Sequence, residues 1–222
     1  MNILTFDTSL DKTYITLCDN DKIIIEKVIS STEEKYHSAY LIPTIVEILK
    51  EKKITMQDIK AIATNIGPGS FTGIRVCNTI ARVFAQQLDI KLVGISSLEI
   101  LSRINTSDKD SLILMDARKE KVYCAIYSKN GEEIETPKSI LKEEILNLSK
   151  KDYFIITDSS IYNYLKNNNI SSVNFEAENY PLGKYLAEIA YKKLKENITD
   201  FNWAKVKPLY IQPPSISKPK AV

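Results

Sequence analysis

Ile3-Leu4-Thr5-Phe6-Asp7 near the start of the chain and Leu112-Ile113-Leu114-Met115-Asp116 near its middle read as one strand written twice. Each is an apolar run closed by an aspartate, and each leads through a short turn into an alternating segment. At a constant offset of 109 residues, Lys12 meets Lys121, Tyr14 meets Tyr123, Leu17 meets Ile126, and Ile25-Glu26 meets Ile134-Glu135. That offset is about half of the 222 residues, the spacing expected of a duplicated unit.

Outward from the first copy, residues 23–29 read as a third strand after the turn-forming Asp19-Asn20-Asp21. A helix follows over 36–53, a buried strand over 62–66, a helix over 70–88, a strand over 92–95, and a helix over 98–104 opened by Ser96-Ser97. The second copy is thinner. It has strands near 112–116, 122–128 and 132–136, an amphipathic segment 140–149, strands near 153–157 and 172–175, and a helix over 181–197. Pro213, Pro214 and Pro219 exclude regular structure beyond it. Three strands followed by alternating helices and strands predict an α/β fold of mixed sheets flanked by helices. The expected division is 1–105 and 106–222. A duplicated unit of this order resembles the actin-like/Hsp70-like superfamily, with its second copy reduced.

Composition sets outer limits. The hydrophobic share of 44% and charged share of 26% are those of a globular protein. A net charge of +2 gives no whole-surface attraction to nucleic acid. Lys205, Lys207, Lys218 and Lys220 load the C-terminal segment, which reads as a solvated, fraying tail. Cys18, Cys77 and Cys124 form neither a disulfide framework nor a zinc pattern. Asp7 ends the first apolar run too early for a signal peptide, and no apolar stretch reaches the ~20 residues that span a bilayer. A cytoplasmic, reducing location is expected, without membrane attachment.

Gly67-Pro68-Gly69-Ser70-Phe71-Thr72-Gly73-Ile74-Arg75 joins the strand 62–66 to the next helix. Glycine freedom, a fixed proline φ and Ser70 as a cap describe a strand-to-helix turn. A phosphate cradle is the other reading, although no Lys-Ser or Lys-Thr follows the last glycine as in a Walker loop. Candidates for nucleotide contact are Asp7, Gly67, Gly69, Ser70 and Asp116. None carries a catalytic or metal role. The hairpin turns Thr8-Ser9-Leu10-Asp11 and Ala117-Arg118-Lys119-Glu120 lack glycines for close phosphate approach. His37 is the only histidine, so a two-histidine metal site is impossible within one chain. A Ser-His-Asp arrangement would have to use it, and no Gly-x-Ser-x-Gly elbow surrounds any serine. His37 reads as a capping or surface residue.

The nine residues 67–75 resemble the signature of the TsaB (YeaZ) family. The resemblance extends through Ile3-Leu4-Thr5-Phe6-Asp7-Thr8, His37-Ser38 with Leu41 and Pro43, Gly94-Ile95-Ser96-Ser97-Leu98, Met115-Asp116-Ala117-Arg118 and Pro208-Leu209-Tyr210. It implies a non-catalytic partner subunit of the machinery that places N6-threonylcarbamoyladenosine at position 37 of tRNA. The implied partners are a catalytic TsaD-like paralogue and a TsaE-like ATPase, with a homodimer when the chain is alone and tRNA reached indirectly. The implied cofactors are none of its own, ATP or ADP and a metal entering only with the assembled complex. Where the paralogue carries a His-x-x-x-His pair, this chain reads His37-Ser38-Ala39-Tyr40-Leu41. The rival readings are a catalytic actin-like enzyme (a small-molecule kinase or threonylcarbamoyl transferase) and a homodimeric interaction protein outside tRNA modification.

The helix 70–88 carries two apolar stripes on opposite sides. One holds Ile74, Cys77, Ala81, Phe84, Ala85 and Leu88, the other Val76, Thr79, Ile80 and Val83. One sheet layer covers one stripe, so the second is expected to meet a partner, or else its own domain wraps it. The resemblance also implies association through the helices 36–53 and 70–88, and the expected partner-binding residues are Leu41, Ile45, Ile48, Val76, Thr79, Ile80 and Val83. Related proteins often place glycines where this chain has Cys77, Thr79 and Val83, which sets the partner helix at a different distance.

Overall fold

Two five-stranded sheets with the same internal order stand on either side of a shared helical layer. The computed structural model describes residues 1–30, 37–198 and 200–212, without the side chains of residues 37 and 38. The first copy runs β1 (Asn2–Asp7), β2 (Lys12–Asp19), β3 (Lys22–Ser30), α1 (His37–Glu51), β4 (Ile59–Gly67), α2 (Phe71–Leu88), β5 (Lys91–Ser96) and α3 (Ser97–Ser102). The second runs β6 (Ser111–Asp116), β7 (Lys121–Tyr127), β8 (Glu133–Leu141), α4 (Ile145–Leu148), β9 (Phe154–Thr157), α5 (Ser159–Asn167), β10 (Val173–Asn174) and α6 (Leu182–Glu196).

The sheet orders are β3-β2-β1-β4-β5 and β8-β7-β6-β9-β10. In each, the first strand lies antiparallel to the second and parallel to the fourth. A first strand with neighbours on both edges and cover on both faces should be largely apolar, which Leu112 to Met115 supply throughout and Ile3 to Phe6 supply except at the buried Thr5. The fold is actin-like and duplicated, and its second copy is reduced where α4 spans a single turn and β10 two residues.

The duplication holds, but its register differs from the sequence match. Ile3, Tyr14 and Cys18 face the layer between the sheets, as do Ile113, Met115, Ala125 and Tyr127. Leu4, Phe6, Ile15 and Leu17 face outward, as do Leu112, Leu114, Val122, Cys124 and Ile126. Side chains alternate along a strand, so Asp7 points inward with Ile3 while Asp116 points outward with Leu112 and Leu114. The last inward pairs are Asp7 opposite Tyr14 and Met115 opposite Tyr123. Met115, not Asp116, therefore occupies the place of Asp7, and the matched aspartates are one residue out of step. A one-residue slip moves every side chain to the other face.

The expected division at 105/106 separates the sheets but not their cover. α6, from the second copy, lies across β1, β2, β4 and β5 of the first sheet, and α3, from the first copy, packs on β6 and β7 of the second. Both helices share one core with the inner faces of both sheets. α1 and α2 cover the outer face of the first sheet, and α4 and α5 that of the second. Nor do residues 201–212 fray. Phe201 and Ile211 pack on the inner core, Trp203 and Val206 on the outer one, and Lys205 pairs with Asp200. The prolines at 213, 214 and 219, with Lys218 and Lys220, lie outside the described residues, as does the side chain of His37.

Since α6 belongs to the first sheet in space, a fragment of residues 1–105 exposes Ile3, Tyr14, Val93 and Ile95. At about 1.5–3 kcal/mol for each fully buried apolar side chain, that loss rivals a whole domain's stability of about 5–15 kcal/mol. The fragment should lack cooperative thermal unfolding by circular dichroism and recover it when mixed with residues 106–222. A fragment 1–105 that melts cooperatively on its own would contradict the crossed arrangement.

Candidate functional site

The glycine-rich turn is docked backbone to backbone on the β1–β2 turn. Ser70 N–H donates to Ser9 O at 2.7 Å, and Thr8 Oγ1 donates to Gly73 O at 2.7 Å. A Cβ on Gly73 would lie 1.8 Å from Thr8 O, and one on Gly69 2.4 Å from Ser9 O. These glycines are required by the chain's own backbone, which passes too close to admit a side chain. Ser70 caps α2, its side chain accepting from Gly73 N–H at 3.2 Å.

Under this turn lies a buried polar network. Asp7 Oδ1 accepts from Ser9 N–H at 2.7 Å and Ser9 Oγ at 2.6 Å. Its Oδ2 accepts from Asn65 Nδ2 at 2.8 Å. Asn65 Oδ1 accepts in turn from Gly67 N–H at 2.7 Å and Ser97 Oγ at 3.0 Å. Burial raises the Asp7 carboxyl above its ordinary value of 3.8, and the donors of Ser9 and Asn65 pull the other way without overcoming it.

Gly69 to Thr72 form one wall of a cleft of about 440 Å³, with Met115, Asp116, Ala117, Arg118 and Tyr123 opposite. The fold family implies a nucleotide in such a cleft, and the residues here do not fit one. Both oxygens of Asp7 are engaged within the protein, and the matching place in the second copy is the apolar Met115. The N–H groups of Gly67 and Ser70 are spent on Asn65 and Ser9. Asp116 is exposed, its Oδ1 accepting from Arg118 N–H at 3.0 Å, while Asp116 N–H donates to the Asp158 carboxylate. Of the five candidates for nucleotide contact, Asp7, Gly67, Gly69 and Ser70 hold the joint together, and Asp116 stands apart on the other wall. The thiols offer no nucleophile. All three cysteines are buried, and burial pushes Cys18 and Cys124 up to about 12.

The two stripes of α2 separate as the helical spacing demands. Ile74, Cys77, Ala81 and Ala85 are buried on the first sheet. On the other side Thr79 is exposed, Val83 is 48% exposed, and Val76 and Ile80 are half-buried at the edge of the outer core. On α1 the expected residues are corrected. Leu41, Ile45 and Ile48 are at most 1% exposed and belong to the core of the chain itself, so they present nothing to a partner. Among the outward side chains of α1 are the apolar Ile42 and Val46, 45% and 59% exposed, and Tyr40, 49% exposed. Ile42 and Val46 sit one position beyond Leu41 and Ile45 on one flank of the buried arc, and the polar Thr44 and Glu47 mark its other flank.

A family model described as TsaD, tRNA N6-adenosine threonylcarbamoyltransferase, matches residues 23–200. The curated tRNA threonylcarbamoyladenosine biosynthesis protein TsaB of Bacillus subtilis is 34% identical over 68% of this chain and 67% of its own length. The TsaB of Buchnera aphidicola from Acyrthosiphon pisum is 28% identical over 90% of this chain and 93% of its own. The chain belongs to the TsaB family. A solved structure of YeaZ from Pseudomonas aeruginosa has the same fold, with a TM-score of 0.74 at 20% identity over 94% of this chain and 99% of that one. Among the described residues of this TsaB-family chain, no helix is long and apolar enough to cross a membrane.

The joint sets two measurable consequences. Gly73→Ala forces backbone apart and should cost at least about 3 kcal/mol in urea denaturation, the upper range of overpacking. Asp7→Asn turns an amide donor toward Asn65 Nδ2, whose own oxygen is already occupied, so a loss of about 1–3 kcal/mol is expected. The folded state holds the Asp7 proton more tightly than the unfolded chain does. The contribution of that proton is therefore complete below the ordinary value of 3.8 and lost as pH rises through the folded value. Asp7→Asn should flatten this slope, and an unchanged stability–pH profile would show that Asp7 does not carry it.

Proposed function

We propose that the chain is a non-catalytic partner subunit in the formation of N6-threonylcarbamoyladenosine on tRNA. Its relatives are named for biosynthesis of that nucleoside, which supports the pathway. The observation that carries the partner role is the outward apolar side of α1 and α2, with Ile42, Val46 and Val83 close to half exposed on two helices packed side by side. Its occupant in this reading is a TsaD-like catalytic paralogue, and a second copy of the chain when the paralogue is absent. A TsaE-like ATPase joins the pair, tRNA is reached through the complex, and the assembly works in the cytoplasm. ATP or ADP and a metal enter with the partners. The engaged oxygens of Asp7 and the methionine at 115 support a structural rather than a catalytic role for this chain's own cleft.

Val83→Glu is the discriminating variant. A charge is tolerated where Val83 meets water and costs several kcal/mol where a contact desolvates it. The variant should keep the circular dichroism of the parent while losing self-association in sedimentation and capture of the TsaD-like paralogue. A folded variant that still captures the paralogue would overturn the assignment of this face. The isolated chain should also turn over no ATP above a blank. Turnover that Asp7→Asn abolishes would restore the catalytic reading.

A further inference from the structure

Residues 201–212 take an unusual path. They start at the edge of the first sheet, where Leu92 N–H donates to Phe201 O at 3.0 Å, so part of the open edge of β5 is covered. Trp203 and Val206 then pack on the outer core, with Arg82 over the Trp203 ring. Val206 comes within 3.1 Å of where a Cβ of Gly94 would be, so the bare Cα there lets the segment lie close.

The segment next meets an irregularity in the sheet. The β4–β5 register shifts between Asn65 and Gly67, leaving the Ile66 carbonyl outside the ladder. That carbonyl accepts from Leu209 N–H at 2.7 Å. Tyr210 follows, its hydroxyl accepting from Arg75 Nε at 3.2 Å, while the Arg75 guanidinium lies 3.8 Å over the Phe71 ring. Ile211 turns into the core between the sheets. Gln212 Nε2 then donates to Ser139 Oγ at 2.8 Å, on β8 of the second sheet. Ser139 is the cross-strand partner of Tyr123, which lines the cleft opposite Phe71.

Within five residues the chain is anchored to both sheets, with one anchor beside each wall of the cleft. We infer that residues 208–212 are a clasp that fixes the angle between the two halves and holds the cleft at its present width. An actin-like pair of lobes with a groove between them opens by rotation about the connecting segments. Here any such rotation must break the Leu209–Ile66 bond, pull Ile211 from the inner core, or part Gln212 from Ser139. The clasp adds to the hold of the shared inner layer, and its release lets the separation of the two halves vary.

Spin labels at Gln87→Cys on α2 and Asn163→Cys on α5 report the separation of the two outer layers, the native thiols being buried. Labelled chain diluted into unlabelled chain keeps the signal within one molecule, so self-association does not enter. The parent should give one narrow distance. Leu209→Pro removes the donor to Ile66 and Gln212→Ala the bond to β8, and together they should lose the single narrow distance to a broad or two-peaked distribution. If circular dichroism shows the double variant unfolded, Gln212→Ala alone decides, because it leaves the Leu209 anchor in place. Broadening in a folded variant supports the clasp. A distribution unchanged from the parent in the folded variant overturns it.

Discussion

Everything in this molecule depends on how the inner faces of two sheets are kept from water. Each sheet brings one row of apolar side chains to the middle, and α3 and α6 are placed to cover them. Each packs on the sheet of the other copy, α6 on the first and α3 on the second. The two copies are thus tied by exchange of cover rather than by a surface contact between finished domains. That exchange also brings both walls of the cleft onto one inner layer.

The glycine-rich turn shows how a motif suited to ligand chemistry serves structure here. A strand-to-helix turn with bare Cα atoms approaches whatever lies nearest, and in this chain that is the backbone of Thr8 and Ser9. Its Gly67 and Ser70 amides donate to Asn65 and Ser9, and the same two residues donate to the Asp7 carboxylate. Buried polar groups left unpaired cost more than paired ones return, so such a network is kept whole or lost together. The outward side of α2 grows from this same joint, so its exposed apolar side and the buried network share one helix.

The local patterns in the sequence were the most legible. The apolar runs at β1 and β6, the turn at Asp19-Asn20-Asp21, the serine caps of α2 and α3 and the two-sided α2 all follow from short-range rules, and each lies near its expected place. The register of the duplication was not legible, because two aspartates at strand ends look equivalent while their side chains face opposite ways. α5 was missed because it is only nine residues long, although Asp158 caps it by accepting from Ile161 N–H and Ile161 and Leu165 are buried one turn apart. On α1 the broad apolar face was visible, yet which of its neighbours meet the sheet depends on helix rotation, which tertiary packing sets. The placement of α6 and of residues 201–212 over the first sheet is long-range and has no local signal.

The crossed helices also impose an order in time. β1 and β2 leave the ribosome long before α6, which covers their inner face. During synthesis Ile3, Tyr14 and Cys18 must wait through well over half the chain with that face open to water, and α1 and α2 can shield only the other side. Long-range closure of this kind is slow and leaves sticky surface on nascent chains. The inner face of the nascent first half stays uncovered until residues 182–196 emerge.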